Sequence, residues 1–291
     1  MKTTILIGAL TLLATACRTT NKENNTEKVN IMETSKEVLN KEKAAALLVS
    51  LETGDSTAVG YINPSQYTQH NLAVADGMEG FAAVMQNAPE GGFKANVVRS
   101  FQDGDYTFHH TIYDFFGPKV GFDVFRFEDG KIVEHWDNLA DLAPKNPSGR
   151  TQTDGSTELL DLDKTEENKE LVKGFIHKVL INGGFDTMGQ YFDGDHYLQH
   201  NTQIGDGLSG LGTALEQMAK NGIRMVYEKN HIILGEGNFV LAVSEGSFAD
   251  QPTSFYDLFR IENGKIAEHW DIIETILPAE AHKNNNGKFN F

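Results

Sequence analysis

The chain is short of cysteine and of positive charge. Cys17 is its only cysteine among 291 residues. A single thiol leaves no internal disulfide, no CxxC redox pair and no cysteine-built metal centre. Lys and Arg number 25 against 41 Asp and Glu, a formal net charge of −16. Such a surface repels phosphate, which argues against nucleic acid and against binding anionic lipid headgroups directly. The sequence also has no P-loop, glycine-rich dinucleotide turn, Gly-x-Ser-x-Gly elbow, HExxH or cupin His-x-His pattern. No metal and no cofactor are expected from motifs. Long apolar runs are scarce too: Ile5 to Leu13 is too short to cross a bilayer as a mature helix.

What is present begins at that apolar run. Lys2, the run and Ala14-Thr15-Ala16-Cys17 resemble a lipoprotein signal, in which Cys17 becomes the acylated N-terminus. Residues 1–17 are therefore expected to be a signal. Residues 18–35, rich in Asn, Thr, Lys and Glu, read as a flexible tether. The expectation is an exported bacterial lipoprotein held at the membrane through Cys17, in the outer membrane, and touching it only through that anchor.

The body of the chain repeats itself. Phe125-Arg-Phe-Glu-Asp-Gly-Lys-Ile-Val-Glu-His-Trp-Asp137 aligns with Phe259-Arg-Ile-Glu-Asn-Gly-Lys-Ile-Ala-Glu-His-Trp-Asp271, differing at only three positions. Tyr67-Thr-Gln-His-Asn71 aligns with Tyr197-Leu-Gln-His-Asn201, and Asp76-Gly77 with Asp206-Gly207. The downstream offset exceeds the upstream one by four residues, which is read as a longer loop. Each copy shows helical spacing first, around Ala44–Leu51 and Leu171–Leu180. A second helix follows the Asp-Gly, and then come four strands cut by Asp-Gly, Gly-Pro and Asn-Gly turns. Helices followed by a run of strands predict α+β. The expected domains are 36–142 and 165–278, with a linker at 143–164 and a polar C-terminal tail at 279–291.

The Tyr-x-Gln-His-Asn element, the Asp-Gly-x-x-Gly helix start and the closing Glu-His-Trp-Asp run resemble the SnoaL-like polyketide-cyclase family of the nuclear transport factor 2-like superfamily. The resemblance covers about 38–142 and 166–278. It implies two tandem cone-shaped α+β barrels, each with helices packed on a curved antiparallel sheet and a pocket at the open end. It also implies pairing through the outer sheet face, here between the two domains as an intrachain pseudo-dimer.

Strand alternation sets Asp123 beside Phe125 and Phe127, and Asp257 beside Phe255 and Phe259. A carboxylate on an apolar pocket wall gains the raised pKa that proton transfer near neutrality needs. The resemblance implies an acidic residue that moves a proton beside a carbonyl without metal or cofactor, so Asp123 and Asp257 are the candidates. His70, His200 and His110 are the candidate imidazoles, His110 because family members carry a histidine near it. Copy two has Val243 there, which points to the first copy as the more active. Tyr67, Asn71 and Trp136, with Tyr197, Asn201 and Trp270, are expected to contact the ligand. His135, Asp137, His269 and Asp271 are expected to orient those groups. The function expected is acid/base chemistry on a small apolar carbonyl compound: aldol-type cyclisation, isomerisation or hydration. The alternative is a ligand-binding or interaction lipoprotein of the envelope that catalyses nothing.

Overall fold

The computed structural model describes residues 38–291. The expected signal, Cys17 and the 18–35 tether lie outside the described residues. The first half runs α1 (Asn40–Thr53), α2 (Ser56–Val59), β1 (Thr68–Gln69), α3 (Gly77–Gln86), β2 (Lys94–Asp103), β3 (Tyr106–Asp114), β4 (Pro118–Glu128) and β5 (Lys131–Asp141). The second half has α4 (Thr165–Phe175), β6 (Leu198–Gln199), α5 (Gly207–Lys220), β7 (Met225–Glu236), β8 (Phe239–Phe248), β9 (Gln251–Glu262) and β10 (Lys265–Thr275). The two sheets have equivalent strand orders, β1-β5-β4-β3-β2 and β6-β10-β9-β8-β7. The architecture is α+β, as the element order predicted.

Two local differences from the sequence reading matter for the site. Each sheet is mixed, because the two-residue strands β1 and β6 run parallel to β5 and β10. That register sets Gln69 beside His135 and Gln199 beside His269. The four extra residues of the second half extend α5 beyond the length of α3 and do not form a loop. The hairpins turn where the sequence placed them. Asp129-Gly130 and Asn263-Gly264 hold positive φ at both central positions, as tight hairpins require. Gly80 and Gly210 complete the Asp-Gly-x-x-Gly starts because a Cβ there would overlap the carbonyls of Ala75 and Gly205.

Each central strand is apolar on both faces. In β4 the inner residues Phe125 and Phe127 meet Leu47 and Leu48 of α1, and in β9 Phe259 and Ile261 meet Val172 and Phe175 of α4. The outer residues pack against the other sheet. Phe122, Val124 and Trp136 share one buried core with Leu241, Leu258 and Trp270. Asn138, also fully buried, crosses between the sheets and donates to the carbonyls of Ser254 and Ile272 at 2.9 Å each. The rim contacts are reciprocal: Lys41 of α1 pairs with Glu236 at 2.8 Å, and Lys169 of α4 with Asp103 at 2.7 Å.

The segments expected as linker and tail are docked straps. Asn146 Nδ2 donates to the carbonyls of Gln199 and Ile204 at 2.7 and 3.0 Å in the second half. Asn284 Nδ2 donates to those of Asn71 and Val74 at 2.8 Å each in the first. The straps share a pattern, Lys145-Asn146 with Gly149-Arg150 and Lys283-Asn284 with Gly287-Lys288. Their Asn, Gly and Ser content suits tight turns whose side chains satisfy loop carbonyls, and a solvated linker has the same composition. Among the described residues no helix is long and apolar enough to cross a membrane.

Because both halves bury one common core, they are expected to unfold together. Leu258→Ala, fully buried at the centre of that core, is expected to cost about 2–5 kcal/mol. In chemical denaturation the near-ultraviolet signal of Trp136 and the far-ultraviolet signal of both sheets shift to one lower midpoint. Two separated transitions would show that the halves fold independently.

Candidate functional site

The inner face of each sheet carries a carboxylate–imidazole–carboxylate group. Asp123 and Asp137 face each other across β4 and β5, as do Asp257 and Asp271 across β9 and β10. Two neighbouring carboxylates in an apolar wall cannot both ionise freely. Burial, with Asp137 adding to it, raises the Asp123 pKa against the opposing His135 hydrogen bond. Burial likewise raises Asp271, with Asp257 adding to it and His269 opposing.

The first carboxylate of each pair is engaged by protein donors. Tyr113 Oη donates to Asp123 at 2.7 Å and His135 Nε2 at 3.2 Å. In the second half, Tyr227 Oη donates to Asp257 at 3.2 Å and His269 Nε2 at 3.1 Å. The second carboxylate is freer. Asn71 Nδ2 donates to Asp137 Oδ2 at 2.9 Å, and Asn201 Nδ2 to Asp271 Oδ2 at 2.7 Å. Asp137 Oδ1 has no hydrogen-bond partner among the described residues. The loops bearing the asparagines are pinned to the next helix, since Asp76 and Asp206 accept from the backbone N–H groups of Gln69 and Gln199.

One amide divides the two halves. In both, the glutamine Oε1 accepts the N–H of the asparagine two residues on, which fixes which end of the amide is oxygen. Gln69 then presents Nε2 to His135 Nδ1 at 3.1 Å, so this ring accepts at Nδ1 and carries its proton at Nε2. Gln199 presents Oε1 to His269 Nδ1 at 3.0 Å, so this ring donates at Nδ1 and also faces Asp257 through Nε2. Burial works against charge on His269, but the Asp257 hydrogen bond and the charges of Asp271 and Asp257 outweigh it and raise its pKa. Gln199 Nε2 is thereby free to donate to Tyr197 Oη at 2.9 Å, leaving that hydroxyl's own proton available. Burial, with Asp271 and Asp257, holds the Tyr197 pKa well above the ordinary phenol value, so it stays a neutral donor.

The cavities differ more than the residues. The first half encloses about 90 Å³, with Leu47, Leu51, Phe81 and Phe115 crowding Tyr67, Asn71, Asp123, His135 and Asp137. The second encloses about 820 Å³, where Tyr197, Asn201, Asp257, His269 and Asp271 meet an apolar wall including Phe175, Leu215, Met218 and Phe248. The larger volume suits a small organic molecule. The longer α5 contributes Gln217 and Met218 to its wall.

Five sequence candidates lie elsewhere. Trp136 and Trp270 are fully buried in the core between the sheets and line neither cavity. Strand alternation turned His135 and His269 inward, so the tryptophans face the other sheet. His70 and His200, one residue beyond the inward glutamines, stack on those tryptophans at 4.4 and 4.7 Å. Their Nδ1 atoms donate to strap carbonyls, of Gly287 at 2.7 Å and Thr151 at 2.8 Å. His110 pairs in register with Phe122 and so points outward, where it accepts from Arg99 at 2.6 Å. Its place between the sheets removes the argument that His110 makes the first half the more active. Its neighbour His109 pairs with Asp123 and points inward.

Sequence reasoning missed Gln69 and Gln199, although the repeated Tyr-x-Gln-His-Asn element contains them. It also missed Tyr113 and Tyr227, which come from non-equivalent strands, β3 and β7, so that aligning the repeats gives no signal.

The groups Asp123, His135, Asp137 and Asp257, His269, Asp271 each bring ligand-type atoms within 4.8 Å of one another. The rings already bond to one carboxylate of each group.

No family model matches this chain, and no curated protein does. Solved structures align with part of it. A protein of unknown function from Cytophaga hutchinsonii, described as NTF2-like, is 15% identical over 36% of this chain and 94% of its own, with a TM-score of 0.32. A second such protein, from Burkholderia xenovorans, is 18% identical over 40% of this chain and 90% of its own, at a TM-score of 0.33. An LEH-like epoxide hydrolase from M. tuberculosis is 25% identical over 38% of this chain and 85% of its own, at 0.30.

Two titrations follow. His269 is expected to titrate above 6.5 by NMR, and Asp257→Asn should move its midpoint down. Its contribution to stability is full below pH 6.5 and fades as the pH rises through the folded value. Burial pushes His109 down to about 3. The unfolded chain therefore takes up that proton first, and stability falls by roughly 1.4 kcal/mol per pH unit between about pH 6.5 and 3. Denaturation at pH 7 and pH 4 should show His109→Leu losing less stability on acidification than the unaltered protein. An equal loss would remove His109 from the acid response.

Proposed function

We propose that the second half holds a small, largely apolar carbonyl compound and moves a proton next to its carbonyl without a cofactor. Supporting this is one observation above all: a buried Asp–His–Asp group and an oriented phenol share an apolar cavity of about 820 Å³. Asp271, raised in pKa and with Oδ1 unengaged among the described residues, takes the proton from the carbon beside the carbonyl. The C–H electrons become a C=C bond and the charge moves to the carbonyl oxygen. There the Tyr197 hydroxyl donates a hydrogen bond. Returning the proton to the same carbon gives exchange, and to another carbon gives isomerisation; attack by the enolate on a second carbonyl gives an aldol-type cyclisation. Asp257 and Gln199 act as positioning residues for His269, whose positive charge steadies the Asp271 carboxylate.

On this reading the first half, with its small cavity, supports the second. The repeated motifs and reciprocal contacts support descent from one duplicated pocket-bearing domain, whose copies now pair as an intrachain pseudo-dimer. The resemblance to SnoaL-like cyclases in the Gln-His-Asn and Glu-His-Trp-Asp elements points to the same chemistry. The signal-like segment ending at Cys17 supports export and lipid anchoring, with the outer membrane as the proposed location.

The test uses 2-tetralone in deuterated buffer, following deuterium entry beside the carbonyl by mass spectrometry. Exchange above the buffer rate is expected, with Asp271→Asn lowering it about 10²-fold or more and Tyr197→Phe lowering it too. Binding of 2-tetralone without protein-dependent exchange would instead establish capture without turnover.

A further inference from the structure

The second-half cavity is not built by the second half alone. Ala140, Asp141, Ala143, Pro147 and Gln152, from the end of β5 and the strap beyond it, line it together with the residues above. The first-half cavity takes no wall from the second half. The C-terminal strap instead sends Lys288, 4% exposed at its side chain, to Glu274 at 3.1 Å and to the carbonyl of Asp137 at 2.7 Å.

Among the strap residues at the large cavity, Gln152 stands out. It is 6% exposed, and its Oε1 is fully placed by accepting the N–H of Ala143 at 2.8 Å. Its Nε2, with two N–H donors, has no hydrogen bond among the described residues. Nε2 is not shut away from solvent as the orphaned buried atoms are, so water in the open cavity satisfies it and a bound acceptor can take that water's place. The strap itself is anchored at the cavity's edge, by Asn146 on the carbonyls of Gln199 and Ile204 and by His200 on Thr151. The amide is therefore presented from a fixed backbone.

We propose that the ligand site is composite, with Gln152 of the first half's strap donating through Nε2 to a hydrogen-bond acceptor on the molecule bound in the second half. Gln152 thereby selects an oxygen-bearing ligand over its hydrocarbon counterpart. This rests on the pocket reading above, and it gives a reason for the two halves to be retained in one chain: without its partner the working cavity loses the wall that runs from Ala140 to Gln152.

The experiment compares the Kd of 2-tetralone with that of tetralin, its hydrocarbon counterpart, by calorimetry on the full chain. Gln152→Glu keeps the oxygen that accepts from Ala143 but removes both N–H donors; Gln152→Met removes the whole polar end. Each variant is expected to weaken 2-tetralone by about 5- to 10-fold and to leave tetralin unchanged. Asn146→Ala, which loosens the strap but spares Gln152, should weaken both ligands alike. An equal loss for both ligands in the Gln152 variants, or an undiminished preference for the ketone, would overturn the role of Gln152. That result leaves the Asp271-dependent exchange standing if the exchange is observed. Failure of the unaltered protein to bind either compound would overturn the pocket reading, and the composite site with it.

Discussion

The packing of two outer sheet faces against each other governs this structure. Val124 and Leu258 lie with both tryptophans in one buried core, and a strand that contributes to it has only its other face left for chemistry. That is why β4 and β9 read as nearly continuous apolar runs, interrupted by a single inward aspartate each. It also explains the fate of the outward histidines. His110, fully buried beside Arg99, is held well below the ordinary histidine pKa by burial and then by the guanidinium charge. It sits in the join as a neutral ring.

Once the sheets are joined, each half's chain has to leave β5 or β10 at the seam, and it leaves across its neighbour. The straps satisfy carbonyls in the Gln-His-Asn loops that would otherwise be left at the edge of a buried region. Their contacts are equivalent in kind but not in outcome. The Trp270 indole N–H donates to the Asp154 carbonyl at 2.9 Å, and Asp154 Oδ1 lies 2.8 Å from His200 Nδ1, whereas the matching Trp136 Nε1 has no partner among the described residues. The same motif thus serves a tighter seam on one side than on the other.

The site divides along the same line. Two copies keep the same aspartates, histidine and glutamine, yet a shift of an imidazole from one end of an amide to the other changes what the ring must be. His135 accepts from Gln69 at Nδ1, while His269 donates to Gln199 there and has its pKa raised by the aspartates around it. The glutamine nitrogen so released orients Tyr197. An extra turn of α5 accompanies the larger cavity around this group.

The repeat, the α+β order, the turns and the inward aspartates are legible along the chain, because each is a local or periodic property. Period-two alternation identified two faces in β5, with His135 and Asp137 on one and Trp136 on the other. It did not say which face was wet, since both faces of the neighbouring strand are apolar and the burying surface comes from residues more than a hundred positions away. The straps were illegible for a related reason: Asn, Gly and Pro are favoured both by solvent and by tight docked turns. Cavity size, the proton on each imidazole and the reach of Gln152 into the other half were decided only by tertiary structure. Each depends on small displacements between elements that no single segment encodes.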